Sequence, residues 1–481
     1  MSDTNKGSKI VTGVLWRFGE KVTAQMVSFM VSIVLARLLL PNDYGIVAIV
    51  NIFISIAEVF VTSGLGTALI QKKDADETDF STVFWCNIAL SICLYVIVFV
   101  LSPLIASFYN ISSLTAVLRV FSLRLPISAI NSIQNAYVSR KMDFKKFFFA
   151  TLIGTIISAI VGIVMAYKGF GVWALVAQYL TNSTIDTIAL FVIVNWRPQL
   201  KFSLKRAKPL VSYGWKVLAT DLLGVIFNQL NALIIGKEYT SEDLAYYTQG
   251  KKIPDLINSN IGSTLCAVLF PAMSLSNDRE EIKHIRRKSL KMIEYVMFPL
   301  MLGLIVVADK MILVLMTEKW MFAVPYVRIT CLSAIIGTLG TTLIQEVKAI
   351  GRSDITLKME LIKKPIFLLI AIVAMKFGVM AVAWTLVIDE ILAFCFNVYP
   401  VRKYIGFDFK LHLTDAMAPL VMSLIMALVV YSVGTLIPNI LLSLIVQVVL
   451  GVGVYVVLSL LTKNESFIDL MRILPSKADN C

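Results

Sequence analysis

Histidine is almost missing from this chain. There are two in 481 residues, His284 and His412, both in polar connections. That argues against imidazole acid–base chemistry and against a histidine-rich metal site. Charge is scarce as well, with Asp, Glu, Lys and Arg making up 16% of the chain. The six cysteines are Cys86, Cys93, Cys266, Cys331, Cys395 and Cys481. Five lie in apolar stretches and none forms a C-x-x-C pair, so neither a disulfide framework nor a zinc site is indicated. The first apolar stretch is too long for a cleavable leader and lacks a small-residue cleavage site, so it reads as a retained first span. No catalytic residue, metal or cofactor is expected.

What fills the chain instead is hydrocarbon. Hydrophobic residues make up 58% of it, and its mean hydropathy is +0.81. Soluble domains run at about 45–50% apolar. The reading is an all-α integral membrane protein, because the apolar runs are continuous rather than alternating as a barrel requires. A span needs about 20 helical residues. Fourteen such stretches are found, at 14–39, 44–70, 80–105, 114–138, 147–167, 171–194, 211–235, 244–270, 289–307, 327–347, 361–375, 379–399, 415–436 and 440–461.

Orientation follows from loop charge. With the N-terminus cytoplasmic, and with Lys291, Lys363 and Lys364 at span ends counted in the cytoplasmic segments 275–291 and 348–364, thirty Lys and Arg fall in cytoplasmic segments, five on the opposite side and nine within spans. Positive charge is retained on the inside, so both termini are expected to be cytoplasmic. The net charge of +13 then belongs to inner loops rather than to a nucleic-acid surface. The longest outer connection, "ADKMILVLMTEKWMFAVP", has room for a short interfacial helix. "SFIDLMRILPS" has its apolar residues at helical spacing and is expected to lie on the inner membrane surface.

The chain also shows signs of duplication. "WRFGEKVTAQ" opens the first span and "VSYGWKVLAT" the seventh, matching Gly19 with Gly214 and Lys21 with Lys216. "LLPNDYGIVA" and "YTSEDLAYYT" each carry an Asp at the start of the following helix, about 200 residues apart. Transporters are often built from such halves.

The motifs "LARLLLPNDYG" (35–45), "SGLGTALIQKKD" (63–74), "GFGVWALVAQ" (169–178), "NWRPQLKFS" (195–203), "EKWMFAVPYVRI" (318–329) and "KAIGRSD" (348–354) occur in order along the chain. In these it resembles the Wzx-type polysaccharide flippases of the multidrug/oligosaccharidyl-lipid/polysaccharide exporter superfamily. The resemblance implies about fourteen transmembrane helices in two pseudo-symmetric six-helix lobes, plus a C-terminal helix pair, around a central cavity. On that pattern 1–194 is the N-lobe, 195–210 a cytoplasmic linker, 211–399 the C-lobe, and 400–481 the C-terminal pair with its amphipathic tail. It implies a lipid-linked oligosaccharide substrate on undecaprenyl pyrophosphate, moved across the bacterial inner membrane for surface polysaccharide synthesis. Membrane lipids and a polysaccharide polymerase complex are the implied partners. Two other readings are a cation-coupled multidrug exporter of the same superfamily and a membrane polysaccharide polymerase or ligase. The second would need a large outer loop carrying catalytic groups, which the sequence lacks. "GFG" reads as a tight turn at Gly169 and Gly171, not as a phosphate loop, because no Gly-Lys-Ser/Thr follows.

The charges within spans are the site candidates. A guanidinium at mid-membrane costs about 2.5–3.5 kcal/mol even on the mildest scale. Arg119 and Arg124 lie in the fourth span, and Arg124 falls about 15 Å deep if the helix is regular. Read on one continuous helix, the two point in different directions, and either is also suited to pairing with a carboxylate such as Glu58. Lys21, Lys216, Lys251 and Lys252 complete the candidate cations for a pyrophosphate. Lys251 and Lys252 precede Asp255 by four and three residues, which also favours internal pairing. In the first six spans basic residues outnumber acidic ones five to three; in the rest, with the span-end Lys291, Lys363 and Lys364 counted as loop charges, acidic outnumber basic six to four. Candidate ion-coupling carboxylates are Glu58, Asp186, Asp221, Asp389 and Glu390. Adjacent residues on a helix point about 100° apart, so Asp389 and Glu390 do not face one cavity together.

Overall fold

A computed structural model describes residues 3–473, apart from 73, 142–144, 276–278, 341, 351 and 407. The side chains of 3–18, 20–21, 263–272, 274–275, 279, 349, 353 and 472–473 also lie outside the description. Helices make up nearly all of it, and no strand occurs among the described residues. The chain divides into two units, Met1–Ala245 and Tyr246–Cys481.

The first unit holds α1 (Asp3–Leu38), α2 (Pro41–Thr62), α3 (Leu65–Gln71), α4 (Glu77–Tyr109), α5 (Leu114–Phe121), α6 (Arg124–Lys141), α7 (Lys145–Tyr167), α8 (Val172–Ile193), α9 (Leu204–Asn228) and α10 (Leu230–Glu238). The boundary between units falls within α11 (Ser241–Leu275). The second unit continues with α12 (Arg279–Met316), a short 3-10 helix (Glu318–Ala323), α13 (Val324–Gly340), α14 (Leu343–Ala349) and α15 (Ser353–Ala374). It ends with α16 (Val379–Tyr404), α17 (Phe409–Leu436), α18 (Ile440–Leu461) and the amphipathic α19 (Glu465–Ile473). Ten segments among the described residues are long and apolar enough to cross a membrane.

Helix starts follow local chemistry. Pro41 opens α2, where its missing N–H is no loss, and Asp43 accepts the Leu40 amide at 3.2 Å. Asp243 does the same at the head of α11, accepting the Thr240 amide at 3.2 Å and its hydroxyl at 2.7 Å. The two acids of the proposed repeat thus perform the same cap. The turn between α7 and α8 uses Gly169 and Gly171, both at positive φ.

Several apolar runs that read as single helices are broken. The second span splits at Ser63–Gly64, where Gly64 has φ +84°. The fourth splits at Ser122–Leu123, because Pro126 has no N–H to give Ser122 and Leu125 donates to that carbonyl instead, at 2.9 Å. The seventh splits at Gln229, and the tenth ends one helix at Gly340 and starts the next at Leu343. A continuous helical wheel therefore does not relate Arg119 to Arg124, and their expected angular separation is replaced by a bend.

In a bilayer, packing depends on close approach rather than on the hydrophobic effect. Ala150, Gly154, Ser158, Gly162 and Ala166 form a buried stripe of small residues along α7. A Cβ on Gly162 would lie 3.0 Å from Gln178 of α8, which shows how tightly the two helices pack. α9 rests on α2, α3 and α4 in the first unit, although the repeat places it at the head of the second half.

The "NWRPQLKFS" motif has a structural explanation. Trp196 is buried with its ring centroid 5.9 Å from Phe80 and 6.0 Å from Phe84. The following strap lies along α4, with the Gln199 amide on Ser81 Oγ at 3.0 Å and the Ser203 amide on Thr82 Oγ1 at 3.2 Å.

In the second unit α12 packs on α13, α17 and α18. Lys310 of α12 caps the C-terminal end of α17, donating to the Gly434 carbonyl at 2.6 Å and to Ser443 Oγ at 2.7 Å. The amphipathic tail is tied to α12 as well. Lys291 lies 2.9 Å from Glu465, and Lys288 lies 3.0 Å from Asp469.

Candidate functional site

The break at Ser122–Leu123 sets Arg124 at the first position of α6. The positive end of a helix and a guanidinium then coincide, so a counter-charge is required. Glu58 of α2 supplies it, with Oε1 3.0 Å from Arg124 Nε, and also accepts the Ser128 hydroxyl at 2.7 Å. The pair is not sealed, because 27% of the Arg124 side chain and 18% of the Glu58 side chain stay exposed. Polar groups continue the seam along α6 and α8. Asn131 donates to Asp186 Oδ2 at 2.7 Å and to Thr187 Oγ1 at 3.2 Å. Arg124, Glu58 and Asp186 are thereby brought onto three adjoining helices of one unit.

Arg119 is held elsewhere. Its Nε donates to Ser102 Oγ at 3.0 Å, and its guanidinium lies over the Phe99 ring, 4.2 Å from the centroid. Both partners belong to α4, so Arg119 ties α5 to that helix. Lys216 and Asp221 are exposed on α9. Lys21, the proposed counterpart of Lys216, has its side chain outside the described residues.

The second unit holds a separate set. Lys251 lies 3.8 Å from Asp255, its neighbour one turn on, and 3.5 Å from the Tyr247 hydroxyl. Lys252 is half-buried, with no ion pair or hydrogen bond among the described residues. On α16, Glu390 turns toward α13, where a Cβ on Gly337 would meet its Oε2 at 3.0 Å. Asp389 has one buried oxygen without a hydrogen-bond partner, and the charges acting on it are Glu390 and Lys364.

Two further buried groups lie outside the site candidates. Lys363 was counted among loop charges, yet its side chain is 4% exposed, paired with Glu360 at 2.5 Å and bonded to Asn397 at 3.2 Å. Glu360 and Lys363 stand three residues apart, and that spacing was the available signal. Glu346 is wholly buried and faces Arg286 at 3.2 Å, a long-range pairing no local pattern shows. Among the described residues no three His, Cys, Asp or Glu gather in a way that would hold a metal ion.

The chain is 24% identical over 476 residues to the succinoglycan biosynthesis transport protein ExoT of Rhizobium meliloti (strain 1021), covering 97% of this chain and 95% of that one. It is 24% identical over 440 residues to the lipopolysaccharide biosynthesis protein WzxC of Escherichia coli (strain K12), covering 89% and 88%. Its fold is similar to that of Lipid II flippase MurJ in an inward closed conformation. That likeness has a TM-score of 0.71 and 18% identity, over 95% of this chain and all of the other. The family described as polysaccharide biosynthesis protein matches residues 34–325, well over half the chain, and this chain belongs to it as a membrane protein of the Wzx type.

Proposed function

We propose that this chain is a flippase that carries an undecaprenyl-pyrophosphate-linked oligosaccharide repeat unit across the bacterial inner membrane by alternating access. The observation that carries the reading is Arg124. It stands at a helix start inside an apolar span, countered by one carboxylate yet still partly open. A pyrophosphate crossing a hydrocarbon slab needs such a fixed cation, and arginine adds fork geometry toward its oxygens. The Ser128 hydroxyl one turn along α6 and the Asn131 amide two turns along it suit a sugar, which must exchange water hydrogen bonds for protein ones. Lys252, half-buried, gives the second unit a cation of its own.

In this reading fourteen spans form two six-helix lobes and a C-terminal pair, with both termini cytoplasmic. Lys21, Lys216, Lys251 and Arg119 assist at earlier or later stages of passage. Glu58, Asp186, Asp221, Asp389 and Glu390 are the carboxylates through which a cation gradient would act. A polysaccharide polymerase would take the product on the far side. The test is deletion of the gene, followed by extraction of lipid-linked sugars. Undecaprenyl-pyrophosphate repeat units should accumulate and surface polysaccharide should disappear. A deletion strain with normal lipid-linked pools and normal polysaccharide would overturn the reading.

A further inference from the structure

Glu294 belongs to none of the groups above. It lies in the first half of α12, its side chain is 0% exposed, and neither carboxyl oxygen has a hydrogen-bond partner among the described residues. The charges that act on it are Asp415 of α17 and Lys291, one turn earlier on α12. Both are already engaged. Lys291 lies 3.3 Å from Asp415 and 2.9 Å from Glu465 of α19, and Arg287 donates to Asp415 through Nε at 2.6 Å and Nη2 at 2.9 Å. Two cations meet two carboxylates there, so the group is neutral before Glu294 is counted.

Among the described residues, the other packed elements offer no compensating charge. On α17, His412 stacks against Phe394. On α18, Tyr455 gives its hydroxyl to the Tyr295 carbonyl at 2.8 Å, and Ser459 shares a hydrogen bond with the Tyr295 hydroxyl at 2.7 Å. On α19, Asp469 is held by Lys288. Arg286, on α12 itself, is engaged with Glu346. The charged residue of α13 is Arg328, near its outer end and 3.6 Å from Asp309. An ionised Glu294 would place a wholly buried charge where no donor among the described residues meets it, and burial of that kind favours the neutral acid.

A route to water lies close by. A cleft of about 400 Å³ is lined by His284, Arg287, Lys288, Lys291, Met292 and Glu465. Lys291, one helical turn from Glu294, forms part of its wall.

We propose that Glu294 is a proton-binding site, occupied at rest and exchanging with the cleft past Lys291. On release, the Glu294 O–H bond breaks and the proton passes to cleft water as hydronium. The Lys291 ammonium then turns from Glu465 toward the new carboxylate and balances its charge. Loading and unloading of this site therefore alters the grip on α19. Its use in transport rests on the flippase reading; its occupancy by a proton does not.

The experiment is infrared difference spectroscopy on the purified full chain in lipid, comparing wild type with Glu294→Gln across a pH titration. The wild type should show a carboxylic-acid carbonyl band at neutral pH that the variant lacks and that converts to carboxylate at alkaline pH. Absence of that band at neutral pH overturns the proposal. Glu294→Asp keeps a titrating carboxyl and should shift the band rather than remove it. In cells, Glu294→Gln should still export polysaccharide but lose its pH dependence. An unchanged pH profile overturns the coupling role and leaves the flippase reading standing. The infrared measurement needs no substrate, so a failure of the flippase reading would not alter it.

Discussion

Gly64 and Gly214 meet backbone to backbone. A Cβ on Gly64 would lie 2.8 Å from the Gly214 carbonyl oxygen, and one on Gly214 would lie 2.8 Å from the Gly64 carbonyl carbon. This contact joins the break between α2 and α3 to α9, and no side chain fits within it. Gly214→Ala must push α9 outward, an overpacking change of about 1–3 kcal/mol. Gly64→Ala adds a positive-φ backbone penalty of roughly 1–3 kcal/mol, since Gly64 has φ +84° and ψ −84°. Thermal unfolding in detergent should therefore rank Gly64→Ala below Gly214→Ala, and both below wild type. Gly19→Ala should leave stability unchanged, because nothing lies within 4 Å of its Cβ position.

That contrast marks how far the sequence could be read. Gly19 and Gly214 match in the proposed repeat, but only Gly214 is squeezed, and a short motif says nothing about a distant partner. The caps at Asp43 and Asp243 were legible because a cap is local chemistry. The breaks at Gly64 and Pro126 were not, since hydropathy sums over a window and a bend leaves the sum unchanged. Glu58 was named as a partner for one of the two arginines, yet which arginine it meets depends on that same bend. Lys363 was assigned to a loop because charge counting assumes that lysines near span ends reach water.

Orientation rests on the asymmetry of Lys and Arg between the two sides, and cysteine accessibility tests it directly. After the six native cysteines are replaced, a single cysteine at Glu242 should react with an impermeant maleimide in intact cells. One at Lys205 should react only after permeabilisation. The reversed pattern would turn the whole topology over, because every later loop inherits its side from the earlier ones.

At the start of α4, Asp76 accepts the Asp79 amide at 2.9 Å and pairs with Arg206. The Arg206 hydrogen bond, followed by the Asp79 amide, holds the Asp76 carboxyl below its ordinary value of 3.8. A lowered folded-state value stabilises the fold above the ordinary value, and that stability is lost as pH falls through the folded value. Amides in the first turn of α4 should thus exchange faster in acid below pH 3.8. Asp76→Asn should raise exchange there at neutral pH and flatten the acid dependence. An acid dependence unchanged by the substitution would assign it to another group. The effect is small, because the pair is exposed to water and salt.

Arg124 and Glu58 pose the sharpest question, because their ion pair is also a tie between α2 and α6. Arg124→Ala strands a partly buried carboxylate, so loss of export alone would not separate anion binding from structure. A double-mutant cycle does separate them. Arg124→Gln should abolish export, and Glu58→Gln should weaken it while leaving the arginine in place. If the pair were only a tie, joining the two changes would remove both charges together and restore export. If Arg124 meets the phosphate, the neutral double variant should recover thermal stability but stay inactive. Arg124→Lys keeps a positive charge without the fork and should retain part of the export. Full export by the neutral double variant would therefore reduce Arg124 to a strut, and with it the principal support for an anionic lipid substrate.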